Sequence, residues 1–305
     1  MKSTKIWPQL LILIATLIWG SSFFILKNTI ENIPPFFVLA LRFTLSAALL
    51  FTLFAKHLPS AWNKTCIQSG FLLGLFLFLA YAFQTYGLKG TTPGKNAFLT
   101  TAYVILVPFL EYLFTRRLPG VHHLAAAVIC IFGIALIVLD GNLSMQTGDL
   151  LTLLGGMCFA VHIIFLNRFS KEHDIFILTA IQFLFCAVFC WFGTLLFESI
   201  PANWYHGTLL SILYLSVFCT TVALLFQSIG QKYTPSAQAA ILCSLEAVFG
   251  VLFSVVLYHE TISLRVFFGF LLVFIAVLFS ETGHLLLGKP KKKSHMVLHM
   301  TKPKK

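Results

Sequence analysis

Phe83-Gln84-Thr85-Tyr86-Gly87-Leu88-Lys89-Gly90-Thr91-Thr92-Pro93 returns later in the chain as Phe226-Gln227-Ser228-Ile229-Gly230-Gln231-Lys232-Tyr233-Thr234-Pro235. One residue is deleted, and Phe, Gln, Gly, Lys, Thr and Pro are matched. A second echo, Phe132-Gly133 and Phe268-Gly269, falls at corresponding places further along each copy. Two echoes in the same order mark an internal duplication. They divide the chain into residues 1–143, residues 144–285 and a basic tail, 286–305. The polar stretch Asp140 to Asp149 links the two halves and is too short to form a domain.

The sequence around each copy is built to cross a membrane. Hydrophobic residues make up 58% of the chain, charged ones 10%, and the mean hydropathy is +0.91, which excludes an ordinary soluble domain. About 20 apolar residues in a helix span roughly 30 Å of hydrocarbon. Runs of about that length cover Pro8 to Leu26, Pro35 to Phe54, Ile67 to Tyr86, Asn96 to Phe114, Leu124 to Leu139, Leu150 to Leu166, Ile175 to Phe197, Leu209 to Gly230, Ser236 to Leu257 and Val266 to Ser280. The ten-residue alternation of a membrane barrel is missing. Helices therefore satisfy the backbone. The duplicated stretch joins the third helix of each half to its fourth. With five helices per half, an odd number, the second half must enter the membrane from the opposite side. The expected fold is an all-α membrane protein with ten transmembrane helices as two inverted five-helix repeats. Such a pair places a binding site near the midplane between repeats and exposes it alternately to the two sides.

Charge sets the expected orientation. Lys2, Lys5, Lys56, Lys64, Arg116, Arg117, Arg168, Lys171, Lys232 and the basic residues after Gly288 share one side, against Lys27, Lys89, Lys95 and Arg265 on the other. By the positive-inside rule both termini are cytoplasmic. The net charge of +11 is then topological, and the Lys289 to Lys293 run faces anionic lipid rather than nucleic acid. Lys2 and Lys5 before an apolar run resemble a secretory signal, but no small-residue cleavage site follows, so this segment reads as the first helix.

The seven cysteines have neither metal nor redox spacing, and Cys130, Cys158, Cys186, Cys190, Cys219 and Cys243 lie within spans as small apolar residues. No cofactor or metal is expected. The chain has no GxxxxGK[ST] loop, acidic metal cluster or HExxH, so ATP hydrolysis and zinc peptidase chemistry lack their residues. No Ser/His/Asp set at consistent depth favours hydrolysis in the membrane. Transport is then downhill or coupled to an ion gradient.

Several strings, in order and at matching spacing, resemble the EamA-type transporters of the drug/metabolite transporter (DMT) superfamily. They are Leu17-Ile18-Trp19-Gly20-Ser21-Ser22-Phe23, Pro34-Pro35-Phe36 with Ala40-Leu41-Arg42-Phe43, and Lys95-Asn96-Ala97-Phe98-Leu99-Thr100 with Tyr103-Val104-Ile105-Leu106-Val107-Pro108. Gln231-Lys232-Tyr233-Thr234-Pro235, Ser244-Leu245-Glu246 and His259-Glu260 complete the set. The likeness covers Leu11 to Glu281. It departs from the family at Ala247, where Pro is usual, and at Arg116-Arg117, where many members carry an acid. The resemblance implies a secondary carrier, often an exporter of amino acids, metabolites or drugs, with a central cavity lined by both halves. It leaves the cargo unnamed.

Glu246 is the leading candidate for substrate binding or coupling. An ionisable group amid an apolar span costs a few kcal/mol unless paired, protonated or wetted, and it suits a proton carrier or a partner for a cationic group. A structural brace is the competing use. Gln84 and Gln227 are repeat-equivalent amides suited to the pathway or to interhelical hydrogen bonds. His162 suits a proton relay or a single carbonyl contact. Tyr81 and Tyr103 are cavity aromatics, and Trp19 with Ser21 and Ser22 forms a polar, aromatic notch where small residues also let helices approach, as Gly70 and Gly74 do. Arg42, within snorkelling reach of the outer interface, has a structural role or attracts an anion. Pro108 is expected to kink the fourth helix as a gating or structural element. Glu260 and Arg265 read as solvated ends of the last outer loop.

The expected function is a secondary membrane transporter moving small organic metabolites, amino-acid-like or drug-like, as an exporter by alternating access. It is not an enzyme. Its partners are a small-molecule substrate and membrane lipid, with protons and a homodimer left open. An uncoupled facilitator is the alternative, and a membrane-embedded enzyme or sensor stands behind it.

Overall fold

The computed structural model describes residues 6–57, 63–116, 120–138, 146–200 and 206–286, and no strand occurs among them. The first half comprises α1 (Trp7–Ile30), α2 (Pro35–Leu53), α3 (Lys64–Lys89), α4 (Pro93–Thr100), α5 (Tyr103–Thr115) and α6 (Val121–Val138). The second comprises α7 (Thr147–Glu172), α8 (Ile175–Phe197), α9 (His206–Tyr214), α10 (Ala223–Tyr233), α11 (Ser236–Leu257) and α12 (Leu264–Leu286). α4 and α5 make one broken span, and α9 and α10 make another through the π-helical stretch Leu215–Val222. Among the described residues eight spans meet the length and hydropathy of a membrane helix, and the shorter apolar helices Val121–Ile137 and Leu264–Phe279 bring them to ten. Lys2, Lys5, Arg117, residues 140–145 of the linker and the tail beyond Leu286 lie outside the described residues.

Polar residues set where the spans begin. The Asn63 side chain accepts Cys66 N–H and starts α3 ahead of its apolar run; the Thr92 side chain accepts Lys95 N–H and starts α4 at Pro93. The Asp174 side chain accepts Phe176 and Ile177 N–H at the start of α8. Each uses a side-chain oxygen to satisfy first-turn donors that the helix itself leaves without partners. α2 begins Pro34-Pro35 and has no side-chain cap of its own.

Glycines make the two halves interlock. A Cβ on Gly87 would lie 2.7 Å from Gly148 O and 2.4 Å from Thr152 Oγ1; a Cβ on its repeat partner Gly230 would lie 2.6 Å from both Pro8 O and Ile12 Cγ1. Thus α3 crosses α7 as α10 crosses α1, each helix pair bridging the repeats. Gly133 and Gly269 face each other where α6 crosses α12, with Gly269 O 3.0 Å from a Gly133 Cβ and Gly133 O 2.9 Å from a Gly269 Cβ. The neighbouring Phe132 and Phe268 point outward and are exposed. Gly70 and Gly74 admit α8 at Ile181, Gln182 and Phe185. The same logic runs through the whole bundle: small residues at crossings, large apolar ones such as Ile131, Phe192, Phe197 and Leu252 on the rim, and polar ones inside, as lipid requires.

The fourth span breaks at Thr101–Ala102, where Ala102 N–H turns to Leu99 O and Val104 N–H to Thr101 O. Pro108 lies inside α5 beyond this break. α11 runs without interruption past Ala247. Its end and that of α5 both close with a non-glycine residue in the left-handed region, His259 and Arg116, each at φ 55°. After α11, Glu260 N–H returns to Ser254 O at 3.2 Å, so the turn at His259 folds Glu260 back over the helix end.

Candidate functional site

At the centre, helices of both repeats enclose a chamber. α1 contributes Trp19, Ser22 and Phe23; α3, Tyr81 and Gln84; α5, Tyr103; α7, Phe159 and Ile163; α10, Leu224 and Gln227; and α11, Cys243 and Glu246. The sequence-predicted residues Glu246, Gln84, Gln227, Tyr81, Tyr103, Trp19 and Ser22 therefore meet at one place. The chamber is small, about 30 Å³, room for a water or two and far below the 300 Å³ or so of an organic-ligand site.

Glu246 is buried, and Tyr103 of the other repeat donates its hydroxyl to Oε1 at 3.3 Å. Gln84 Nε2 donates to Thr100 Oγ1 at 3.1 Å, and Gln227 Nε2 approaches Cys243 Sγ at 3.8 Å. Each repeat-related amide thus reaches the following span of its own half, leaving Gln227 Oε1 without a partner among the described residues. Trp19 Nε1 donates to Cys219 O at 2.9 Å, so the indole's one donor is spent behind the wall. Ser22 Oγ donates to Trp19 O at 2.7 Å. The chamber offers aromatic rings, oxygen acceptors and a single carboxylate, a set suited to a positively charged group.

His162 does not line the chamber. It is buried, with Nε2 2.9 Å from Gln182 Oε1 in α8, because the next position on α7, Ile163, takes the inward face. Arg42 corrects another expectation. α2 packs between α8 and the π-helical stretch, so the side chain does not snorkel outward and only 1% of it is exposed. Its guanidinium carbon lies 5.2 Å from the Tyr81 ring centroid and its Nε donates to Thr220 Oγ1 at 3.2 Å.

The π-helical stretch carries no signal that the sequence reading used. Its wide turn frees backbone carbonyls, which hydroxyls and the indole take up. Thr220 donates to Leu215 O and Thr221 to Ser216 O, five residues back, while Ser46 donates to Ser216 O at 2.9 Å. Such turns recur at functional sites.

Carboxylates of the second repeat fasten the face opposite the start of α1. Glu198, after α8, accepts Phe36 and Phe37 N–H, both at 2.9 Å, and the Tyr86 hydroxyl at 2.6 Å. It supplies the cap that Pro34 denies α2. Asp149 accepts Thr91 Oγ1 at 2.7 Å and pairs with Lys95 Nζ at 3.1 Å. Glu260 is not a solvated end: it accepts Gly94 N–H at 2.9 Å together with the hydroxyls of Thr92 and Ser254. Arg265 lies in the first turn of α12 and is exposed there.

A chamber between inverted five-helix repeats is the geometry of a carrier, and comparison with known proteins agrees. The EamA-like transporter family matches residues 6–139 and 146–282, once for each half. An "Uncharacterized transporter" of Archaeoglobus fulgidus is 31% identical over 278 residues, covering 90% of this chain and 85% of the relative. The "Uncharacterized transporter YoaV" of Bacillus subtilis is 25% identical over 269 residues, covering 86% and 92%. A solved crystal structure superposes with a TM-score of 0.69 at 19% identity, over 92% of this chain and 99% of that one, which supports the fold alone. The chain is a multi-pass membrane protein and belongs to the EamA-like transporter family.

Proposed function

We propose that this chain exports small organic solutes, amino-acid-like or drug-like, by alternating access coupled to protons, with Glu246 holding either a proton or the cationic group of the cargo. The observation that carries this reading is a single buried carboxylate in a chamber walled by both repeats. An isolated carboxylate in a low-dielectric site favours either neutralisation by a proton or a bound counter-charge. Two ligands competing for one acidic group cannot occupy it together, which is the requirement for exchange.

The halves, divided near residues 143 and 144, are the moving bodies. A chamber of about 30 Å³ is too small for an organic solute, so this conformation belongs to a contracted stage of the cycle. With both termini in the cytoplasm of a bacterial cell, the face fastened by Glu198, Asp149 and Glu260 is the outer one. Opening it must break those contacts.

The test is solute flux in proteoliposomes under an imposed pH gradient, with Glu246→Gln beside the wild type. The reading expects gradient-driven flux in the wild type and its loss in the variant, with membrane insertion intact. Undiminished pH-dependent flux in Glu246→Gln removes the role assigned to this residue.

A further inference from the structure

Arg42 is an ionised group in the protein interior whose contacts are incomplete. It is 1% exposed, Nε is bonded to Thr220, and Nη1 has no hydrogen-bond partner among the described residues. A guanidinium is charged at any physiological pH, and a buried polar group without a partner calls for an explanation. A purely structural arginine gains most from a carboxylate matched to its planar fork, yet none is within ion-pair distance of Arg42 among the described residues.

Its position supplies the explanation. Between the guanidinium and the chamber stands Tyr81, which carries Arg42 over its ring and itself lines the chamber. Thr220, the partner of Nε, belongs to the π-helical stretch, and Cys219 beside it accepts the indole N–H of Trp19, which also lines the chamber. Arg42 is thus one side chain behind the wall. Displacing Tyr81 would enlarge the contracted chamber and present the guanidinium to it in the same movement.

We propose that Arg42 is an anion-accepting subsite that Tyr81 covers in this conformation, and that it receives a carboxylate of the cargo. With Glu246 facing the same chamber from α11, the cargo is a zwitterion carrying an ammonium and a carboxylate. The guanidinium supplies paired donors to two carboxylate oxygens, and the acidic wall with its aromatic rings takes the ammonium. The proposal rests on the chamber being the translocation site and specifies what binds there.

The experiment is ligand-induced thermal stabilisation of the purified protein in lipid nanodiscs. The probes are the common L-amino acids, each paired with its methyl ester, which removes the carboxylate charge, and its N-acetyl derivative, which removes the ammonium. For the amino acid that stabilises most, the wild type should bind the ester about tenfold more weakly or worse, the scale of a lost charged hydrogen bond. Arg42→Gln should abolish that preference, and Arg42→Lys should restore part of it. The acid and ester comparison in the wild type needs no variant to fold. Equal binding of acid and ester, a preference that survives in Arg42→Gln, or stabilisation by no zwitterion in the panel overturns the proposal. None of these results removes proton-coupled transport of another solute through Glu246, which the flux measurement decides separately.

Discussion

Glu260, just beyond α11, accepts the backbone N–H of Gly94 in the first turn of α4 at 2.9 Å, so a carboxylate of one repeat caps a helix of the other. Glu198 does the same for α2. In both cases the capped helix begins with proline and the acid comes from a helix end more than a hundred residues away. Negative charge at a helix N-terminus is favourable through both the free N–H groups and the helix dipole. These contacts hold the repeats together at one face and are the ones a rocking motion must release.

Removing the caps should therefore loosen that face selectively. Glu260→Ala and Glu198→Ala are each expected to lower stability by about 1 kcal/mol, the usual value of a capping side chain. Spin-label distances across this face should lengthen while those across the other face do not. Thermal unfolding in nanodiscs and pulsed electron resonance read the two effects. Unchanged distances would show that the carboxylates brace the fold without controlling its opening.

Asp149 is fully buried, and Lys95 side-chain exposure is 17%, so their ion pair is shielded from water more than a surface pair. Breaking it from the acidic side strands a partly buried ammonium and the Thr91 hydroxyl. Asp149→Ala is expected to destabilise by about 3 kcal/mol, and the double variant with Lys95→Met to recover part of that loss. A double-mutant cycle on unfolding free energies measures the coupling; strictly additive losses would deny the pair.

The glycine crossings provide a packing test with an internal control. Valine at Gly87 places a Cβ 2.4 Å from Thr152 Oγ1 and 2.7 Å from a backbone oxygen, whereas nothing lies within 4 Å of a Cβ at Gly207. Gly87→Val should reduce stability by about 2 kcal/mol or more through overpacking, and Gly207→Val should leave folded yield and melting temperature near those of the wild type. Equal tolerance at both sites would contradict the α3–α7 crossing.

His162 separates a relay from a brace. Because its imidazole meets Gln182 rather than the chamber, His162→Phe is expected to lower melting temperature by a few degrees through the lost buried hydrogen bond and to leave the pH profile of flux in place. A profile shifted or flattened in that variant would restore the histidine to the proton path.

What the sequence disclosed and what it concealed have different physical origins. Glu246 stands out because a carboxylate is out of place in an apolar run, and Gln84 and Gln227 because duplication repeats them. Those signals are local, and the residues they mark converge on one chamber. Gly133 and Gly269 were legible for the same reason. Glu198 and Glu260 were not, since an acid at a helix end has the same composition whether it is solvated or capping a distant helix. Arg42 lies near enough to the start of α2 to reach an interface, and only the packing of α8 and the π-helical stretch shows it turned inward. The break at Thr101–Ala102 is made of short-range backbone bonds, and the widened turn at Leu215–Val222 is met by Trp19, Arg42 and Ser46 of the other repeat; hydrophobic periodicity records neither.

The central claim, one chamber reached in turn from either side of the membrane, is tested most directly at Ser22. In a cysteine-free background, Ser22→Cys would be exposed to a membrane-impermeant maleimide in right-side-out and inside-out vesicles. The account predicts labelling from both faces, with the rate from the outer face raised when Glu260→Ala is added. Labelling from one face only under every condition, or from neither, would contradict it.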